Sequence, residues 1–134
     1  MRVSMDHIVL NVNDIDKAIH FYTEILGFEV ERVNEYKEGR APFPSIRINA
    51  NTVIDLFPPN RWKKIDDLKG YFPNLNHFCL AVEFDDWQML LKRLQMYNIP
   101  IHRESDKNWG AKGEGISFYI NDTEGNEIEV RYYE

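Results

Sequence analysis

The sequence predicts an α+β fold in which two βαβββ repeats form a curled mixed sheet around a cavity, with the helices on the outside. Three observations carry that prediction. The stretch Asp6-His-Ile-Val-Leu-Asn-Val12 returns as Asn76-His-Phe-Cys-Leu-Ala-Val82, an offset of 70 residues (His77 against His7), about half of the 134-residue chain. Each copy alternates its apolar side chains with the period of a strand. Each is followed at once by an acidic helix start and an apolar stripe at helical spacing. With 43% hydrophobic and 13% aromatic residues the chain can bury one good core. A single domain is therefore expected over 1–134, made of repeat 1 (1–58), a linker (59–74) and repeat 2 (75–134).

The first strand leads into Asn13-Asp14-Ile-Asp16, whose side chains suit the free N–H groups of a first helical turn. Ile15, Ala18, Ile19, Tyr22, Ile25 and Leu26 then make the stripe, and Gly27 sits where a left-handed C-terminal cap is wanted. Ser45-Ile-Arg-Ile-Asn49 and Val53-Ile-Asp-Leu-Phe57 read as the closing strands of this repeat. The stretch from Pro58 to Gly70 is polar and rich in breakers, a linker that could also serve as a lid.

In repeat 2, Asp85-Asp86-Trp-Gln88 offers a capping box, and Trp87, Leu90, Leu91, Leu94 and Tyr97 make the matching stripe. Ser117-Phe-Tyr-Ile-Asn121 and Glu127-Ile-Glu-Val-Arg131 correspond to the closing strands of repeat 1, at offsets of 72 (Ser117 against Ser45) and 74 (Glu129 against Asp55). A longer turn in the second copy, Asp122-Thr-Glu-Gly-Asn126, accounts for the difference, and its Gly-Asn pair signals a hairpin. Both helical stripes are read as faces packed on a sheet.

A formal charge of −6 and a pI near 5.2, with Lys and Arg scattered, oppose the basic footprint that nucleic acid or an anionic membrane requires. The start lacks an apolar leader, and no apolar run is long enough to span a bilayer, so a soluble protein with no membrane partner is expected. The one cysteine, Cys79, cannot close an internal disulfide and suits a reducing compartment, which makes the cytoplasm the expected location.

Strand parity sorts the side chains into two faces. Ile8, Leu10 and Val12, Ile54 and Leu56, Phe78, Leu80 and Val82, and Ile128 and Val130 share a uniformly apolar face for the helices to cover. The opposite face carries His7, Val9 and Asn11; Val53, Asp55 and Phe57; His77, Cys79 and Ala81; and Glu127, Glu129 and Arg131. If the two half-units curl around a common cavity, His7, Asp55, His77 and Glu129 converge. Two imidazoles with carboxylates suit one divalent ion of Ni, Co, Zn, Mn or Fe. Parity also turns Arg47 and Tyr119 toward the cavity as substrate contacts, at matched positions of the repeats, with Asn11, Phe57 and Arg131 beside the ligands. A solvated Arg47 is the competing reading. The stretch Trp109-Gly-Ala-Lys-Gly-Glu-Gly115 reads either as a flap that would bring Trp109 to the substrate or as a flexible connection. Cys79 is read as a small space-filling residue, and His20 and His102, lacking symmetric partners, as ordinary residues.

These stretches together resemble the vicinal oxygen chelate superfamily, which holds glyoxalase I, fosfomycin-resistance proteins and extradiol dioxygenases. The resemblance rests on Asp6 to Val12, Ala18-Ile-His-Phe-Tyr-Thr-Glu-Ile-Leu-Gly-Phe28, Val53-Ile-Asp-Leu-Phe-Pro58, Asn76 to Val82 and Ser117 to Val130, in that order over essentially the whole chain. It implies a metal held by His7, His77 and Glu129, with Asp55 where the family usually has Glu, bonded directly, through water, or not at all. It further implies a glyoxalase I-like lyase acting on the hemithioacetal of a 2-oxoaldehyde and a thiol, through an enediolate, with Glu129 as the base. Thiol transfer to an epoxide, ring-cleaving dioxygenation and non-catalytic binding of a small molecule are the competing readings. A thiol cosubstrate and a homodimer belong to the same resemblance.

Overall fold

A computed structural model describes residues 2, 5, 7–62, 75, 77–110 and 112–134. They fall into two compact units, one on either side of the stretch 63–74. In the first unit β1 (His7–Asn11) precedes α1 (Ile15–His20), β2 (Glu29–Glu31), a short α2 (Val33–Lys37), β3 (Ser45–Asn49), β4 (Thr52–Phe57) and a single turn α3 (Pro59–Trp62). The second unit runs β5 (Phe78–Ala81), α4 (Phe84–Met96), β6 (Arg103–Gly110), β7 (Gly113–Asn121) and β8 (Glu127–Tyr132). The strand orders are β1-β4-β3-β2 and β5-β8-β7-β6. In each sheet the opening strand lies parallel to the closing one and the other pairs are antiparallel. A parallel pair needs a long crossover, and the helix with its two following strands supplies it. The repeated βαβββ expectation is thus met, as two four-stranded mixed sheets.

The apolar parity face is the buried one. In the first unit Leu10, Val12, Ile54 and Leu56 are buried together with Ala18, Phe21 and Tyr22 of the helix. In the second, Phe118, Ile120, Ile128 and Val130 are buried with Leu90 and Leu94. Each such large side chain taken from water contributes roughly 1.5–3 kcal/mol.

Asp14 caps α1 by accepting from Lys17 N–H at 3.0 Å, as its position before the stripe suggests. The helix then widens into a π turn over Phe21–Ile25, where Leu26 N–H reaches back five residues to the Phe21 carbonyl. The extra residue puts both Phe21 (1% exposed) and Tyr22 (0%) inside, where a regular 3.6-residue period anticipates Tyr22 alone. Gly27 adopts φ +83, and Phe28 N–H bonds to the Tyr22 carbonyl at 2.9 Å, closing the left-handed cap.

The second helix departs from expectation at both ends. It starts at Phe84 with Glu83 in the cap position and no side-chain cap bond, so the capping box at Asp85 does not form. Asp85 and Asp86 lie instead in the first turn, where the helix dipole favours them. Tyr97, assigned to the apolar stripe, stands beyond the helix and is 39% exposed. The Asp122–Asn126 turn forms as expected. Gly125 takes φ +81, and the Asp122 carboxylate accepts from Glu124 N–H, Asn126 N–H and the Asn126 amide at 2.8–2.9 Å.

The expected lid lies largely outside the described residues; its opening, α3, is anchored by Trp62 Nε1–H donating to the Val12 carbonyl at 3.1 Å. Among the described residues no helix is long and apolar enough to cross a membrane.

Candidate functional site

In the second unit Glu129 stands on β8 between Cys79 of β5 and Tyr119 of β7, and it is 5% exposed. Its Oε1 accepts from Ser117 Oγ at 2.6 Å, from Arg131 Nη2 and Nε at 2.8 and 3.2 Å, and from Asn108 Nδ2 at 3.3 Å. Its Oε2 faces His77 Nε2 at 3.2 Å. Burial pushes the carboxyl up, but the hydrogen bonds from Ser117, Arg131 and Asn108, with the Arg131 charge, outweigh it and hold it down at about 2. Glu129 is therefore a carboxylate with one oxygen saturated and the other presented to an imidazole.

Tyr119 packs its ring against the edge of His77, centroids 5.8 Å apart, and carries the Arg103 guanidinium 3.8 Å above it. Its hydroxyl accepts from Asn108 Nδ2 at 2.6 Å. Burial, then the nearby Glu129 charge, raises its pKa, so the phenol stays neutral. Cys79 is exposed rather than space-filling, since alternation turns it away from the helix-covered face. The part of its surroundings that it does bury, followed by the Glu129 charge, pushes its thiol up to about 11, which disfavours the nucleophilic thiolate.

In the first unit Asp55 (9% exposed) stands opposite Val9 of β1 and Ser45 of β3. Ser45 Oγ lies 2.6 Å from Asp55 Oδ1 and accepts from Arg32 Nη2 at 2.8 Å, and that nitrogen is 3.9 Å from the carboxylate. His7 opens β1 opposite Val53, on the same parity face as Asp55. Asn11 is exposed opposite Phe57, whose ring lies 4.8 Å from that of Phe43.

Of the residues singled out from sequence, the structure brings His77, Glu129, Tyr119 and Arg131 into one cluster in the second unit. Arg131 is 2% exposed and directs its guanidinium to Glu129, to the Asn108 carbonyl and to the Tyr133 hydroxyl. Arg47 donates to Glu31 at 2.7 and 3.1 Å across the β2–β3 edge. Its correspondence with Tyr119 does not hold. Asp55 opposes Ser45 and Glu129 opposes Tyr119, so the register matches Ser45 with Tyr119 and Arg47 with Asn121. Trp109 lies in β6 opposite Glu114, and its side chain is outside the described part. The stretch from Trp109 to Gly115 is the tip of the β6–β7 hairpin, with Gly110 opposite Gly113 and Ala111 outside the described residues, rather than a loop between elements.

Sequence reasoning missed Asn108, Ser117, Arg103 and His102. Asn108 reaches Glu129 because β6 shifts register between Ser105 and Asn108, which no periodicity reveals. Ser117 shares parity with Tyr119 and was legible on that ground. His102 Nε2 lies 3.2 Å from Glu127 Oε2, which also takes Arg103 Nη2 on its other oxygen at 3.0 Å.

The chain is 30% identical over 129 residues to a virulence protein of Salmonella typhimurium, covering 96% of this chain and 83% of that protein. The crystal structure of that virulence protein matches with a TM-score of 0.75 at 25% identity, over 100% of this chain and 99% of the other. A glutathione transferase, FosA, of Serratia marcescens is 25% identical over 136 residues, 97% of this chain and 81% of that enzyme. A lactoylglutathione lyase of Neisseria meningitidis is 25% identical over 126 residues, 92% and 86% of the two. A family model matches residues 4–130, from ahead of β1 into β8 and so across both repeats, and by that match the chain belongs to the Glyoxalase/Bleomycin resistance protein/Dioxygenase superfamily.

Proposed function

We propose that this chain is a metal-dependent enzyme acting on a small molecule, with one divalent ion held by His7, His77 and Glu129, and Asp55 joining them directly or through water. The observation that supports it is the preparation of Glu129, whose Oε1 is saturated by Ser117, Arg131 and Asn108 while Oε2 meets His77 Nε2 at 3.2 Å. An ionised oxygen beside an imidazole nitrogen is a donor pair that Ni, Co, Zn, Mn and Fe(II) all accept, so the residues fit such an ion. The groups on Oε1 act as orienting partners do around a metal ligand, fixing the carboxylate rotamer. When bound, the ion supplies Lewis acidity toward an oxygen of the substrate.

Within the family, our reading is a glyoxalase I-like lyase in which Glu129 takes the C1 proton of a hemithioacetal and returns it at C2. Ser117, Arg131 and Asn108 keep Glu129 ionised, as a base must begin. The same groups lower its proton affinity, which is the resistance that step has to overcome. Tyr119, a neutral phenol clamped by Arg103 and Asn108, borders the carboxylate as a substrate contact. A thiol cosubstrate is supported by two relatives whose names carry glutathione, and the transferase among them supports thiol transfer as the second reading at the same 25% identity. The resemblance further supports a homodimer, and the single cysteine, which suits a reducing compartment, supports the cytoplasm.

Metal analysis of protein purified without an affinity tag tests the reading. About one equivalent of a transition metal per chain is expected, lost in His77→Ala. A content below about a tenth of an equivalent, with no uptake on reconstitution, would overturn it in favour of a binding protein. A panel of hemithioacetals, epoxides and catechols then separates lyase, transferase and dioxygenase. If Glu129→Gln binds metal and retains wild-type turnover, Glu129 is not the base.

A further inference from the structure

The parity face of the first sheet that carries Asp55 has a second feature that the metal reading does not use. Phe43 and Phe57 pack with centroids 4.8 Å apart and ring planes tilted by 44°. The Arg32 guanidinium lies 4.6 Å from the Phe43 centroid, and that of Arg61 lies 5.3 Å from Phe43 and 4.8 Å from Phe57. Two full positive charges within those distances of one ring stand at most about 10 Å apart, the sum of the two distances to Phe43. Asp55 meets only one of them, at 3.9 Å and with the Ser45 hydroxyl between. Among the described residues Arg61 has no acidic partner. In a chain of net charge −6, two guanidiniums gathered on one aromatic pair are a local excess of cation that an anion would relieve.

The backbone is arranged to keep them there. Arg32 holds φ 63, a left-handed conformation uncommon for a residue with a side chain, and from it reaches Ser45. Arg61 rides on α3, which Trp62 ties to the Val12 carbonyl. A guanidinium beside an aromatic ring still offers N–H groups in a fork that grips a carboxylate or phosphonate with two parallel bonds.

We infer that Arg32, Arg61, Phe43 and Phe57 form a binding site for the oxyanion group of a small acidic ligand, its apolar part resting on the phenylalanine pair. The site stands on the first unit and takes none of the residues assigned to the metal, although Asp55 adjoins Arg32 through Ser45. Chelator-treated protein is titrated with phenylacetate and phenylphosphonate, with neutral phenylacetamide as control, followed by calorimetry. Both anions bind, and phenylacetamide binds at least about tenfold more weakly. Arg61→Met and Arg32→Met each lose about tenfold in affinity, and Arg61→Lys, which keeps the charge without the fork, loses less. Both positions are exposed, so the variants fold, which circular dichroism verifies. Equal binding of phenylacetamide, or unchanged anion affinity in both methionine variants, would overturn the site. Absence of anion binding by a wild-type chain that takes up metal refutes this inference alone; anion binding by a wild-type chain that takes up no metal refutes the metal reading alone.

Discussion

Arg131→Met is the most informative perturbation, because the residue is 2% exposed and points a full charge at Glu129, itself 5% exposed. The substitution removes bonds of 2.8 and 3.2 Å to Oε1 and leaves the Asn108 carbonyl and the Tyr133 hydroxyl without that donor. Removing one partner of a buried ion pair costs about 3–5 kcal/mol. Ser117 and Asn108 still donate to Glu129, so the lower end, about 3 kcal/mol, is expected. Glu129→Gln alone leaves Arg131 buried and uncompensated, at a similar cost. The double variant buries no lone charge and should lose only about 3–4 kcal/mol, a coupling of about 2–3 kcal/mol. Urea unfolding at neutral pH with chelator present reads this directly, each single variant lowering the midpoint by about 1–2 M at unchanged slope. Additive losses within about 0.5 kcal/mol would refute the claim that these two charges are held for each other.

Two further outcomes test the frame around the site. A methyl group at Gly115 would stand 2.8 Å from the Tyr132 carbonyl oxygen, a backbone atom that cannot rotate away, so Gly115→Ala should lose about 1–3 kcal/mol in thermal or denaturant unfolding. Asp14→Ala removes the 3.0 Å cap bond to Lys17 N–H and should lose about 1 kcal/mol, measured the same way, while Asp14→Ser retains most of it.

The fold was legible because burial writes itself into alternation. Leu10, Ile54, Phe118 and Ile128 must all turn one way for a helix to cover them, and a half-chain repeat of that pattern leaves little choice of architecture. Boundaries were less legible, for local reasons. The π turn at Phe21–Ile25 adds a residue that an ideal period cannot anticipate, and Asp85 reads as a cap only while the position of Glu83 is unknown. The β3 register also misled. The pairing sets both closing strands at one offset of 74 (Tyr119 against Ser45, Glu129 against Asp55), so the two stretches that look alike at an offset of 72 are not the two that stand opposite the carboxylates.

Ligand candidates were legible from parity, but the groups that decide what those candidates do were not. Asp55 and Glu129 occupy matching strand positions and differ by one methylene, yet their surroundings use them differently. Asp55 is drawn back within its own sheet by Ser45 at 2.6 Å, with Arg32 behind that hydroxyl. Glu129 is gripped just as closely by Ser117 at Oε1, and its Oε2 meets His77 at 3.2 Å. The short side chain thus favours holding Arg32 at the edge of the aromatic pair, and the long one favours meeting an imidazole. If so, Asp55→Glu should free the carboxylate from Ser45 and raise metal affinity in a His7-dependent way. An affinity that stays at the wild-type value would show that Asp55 serves the arginine and not the metal.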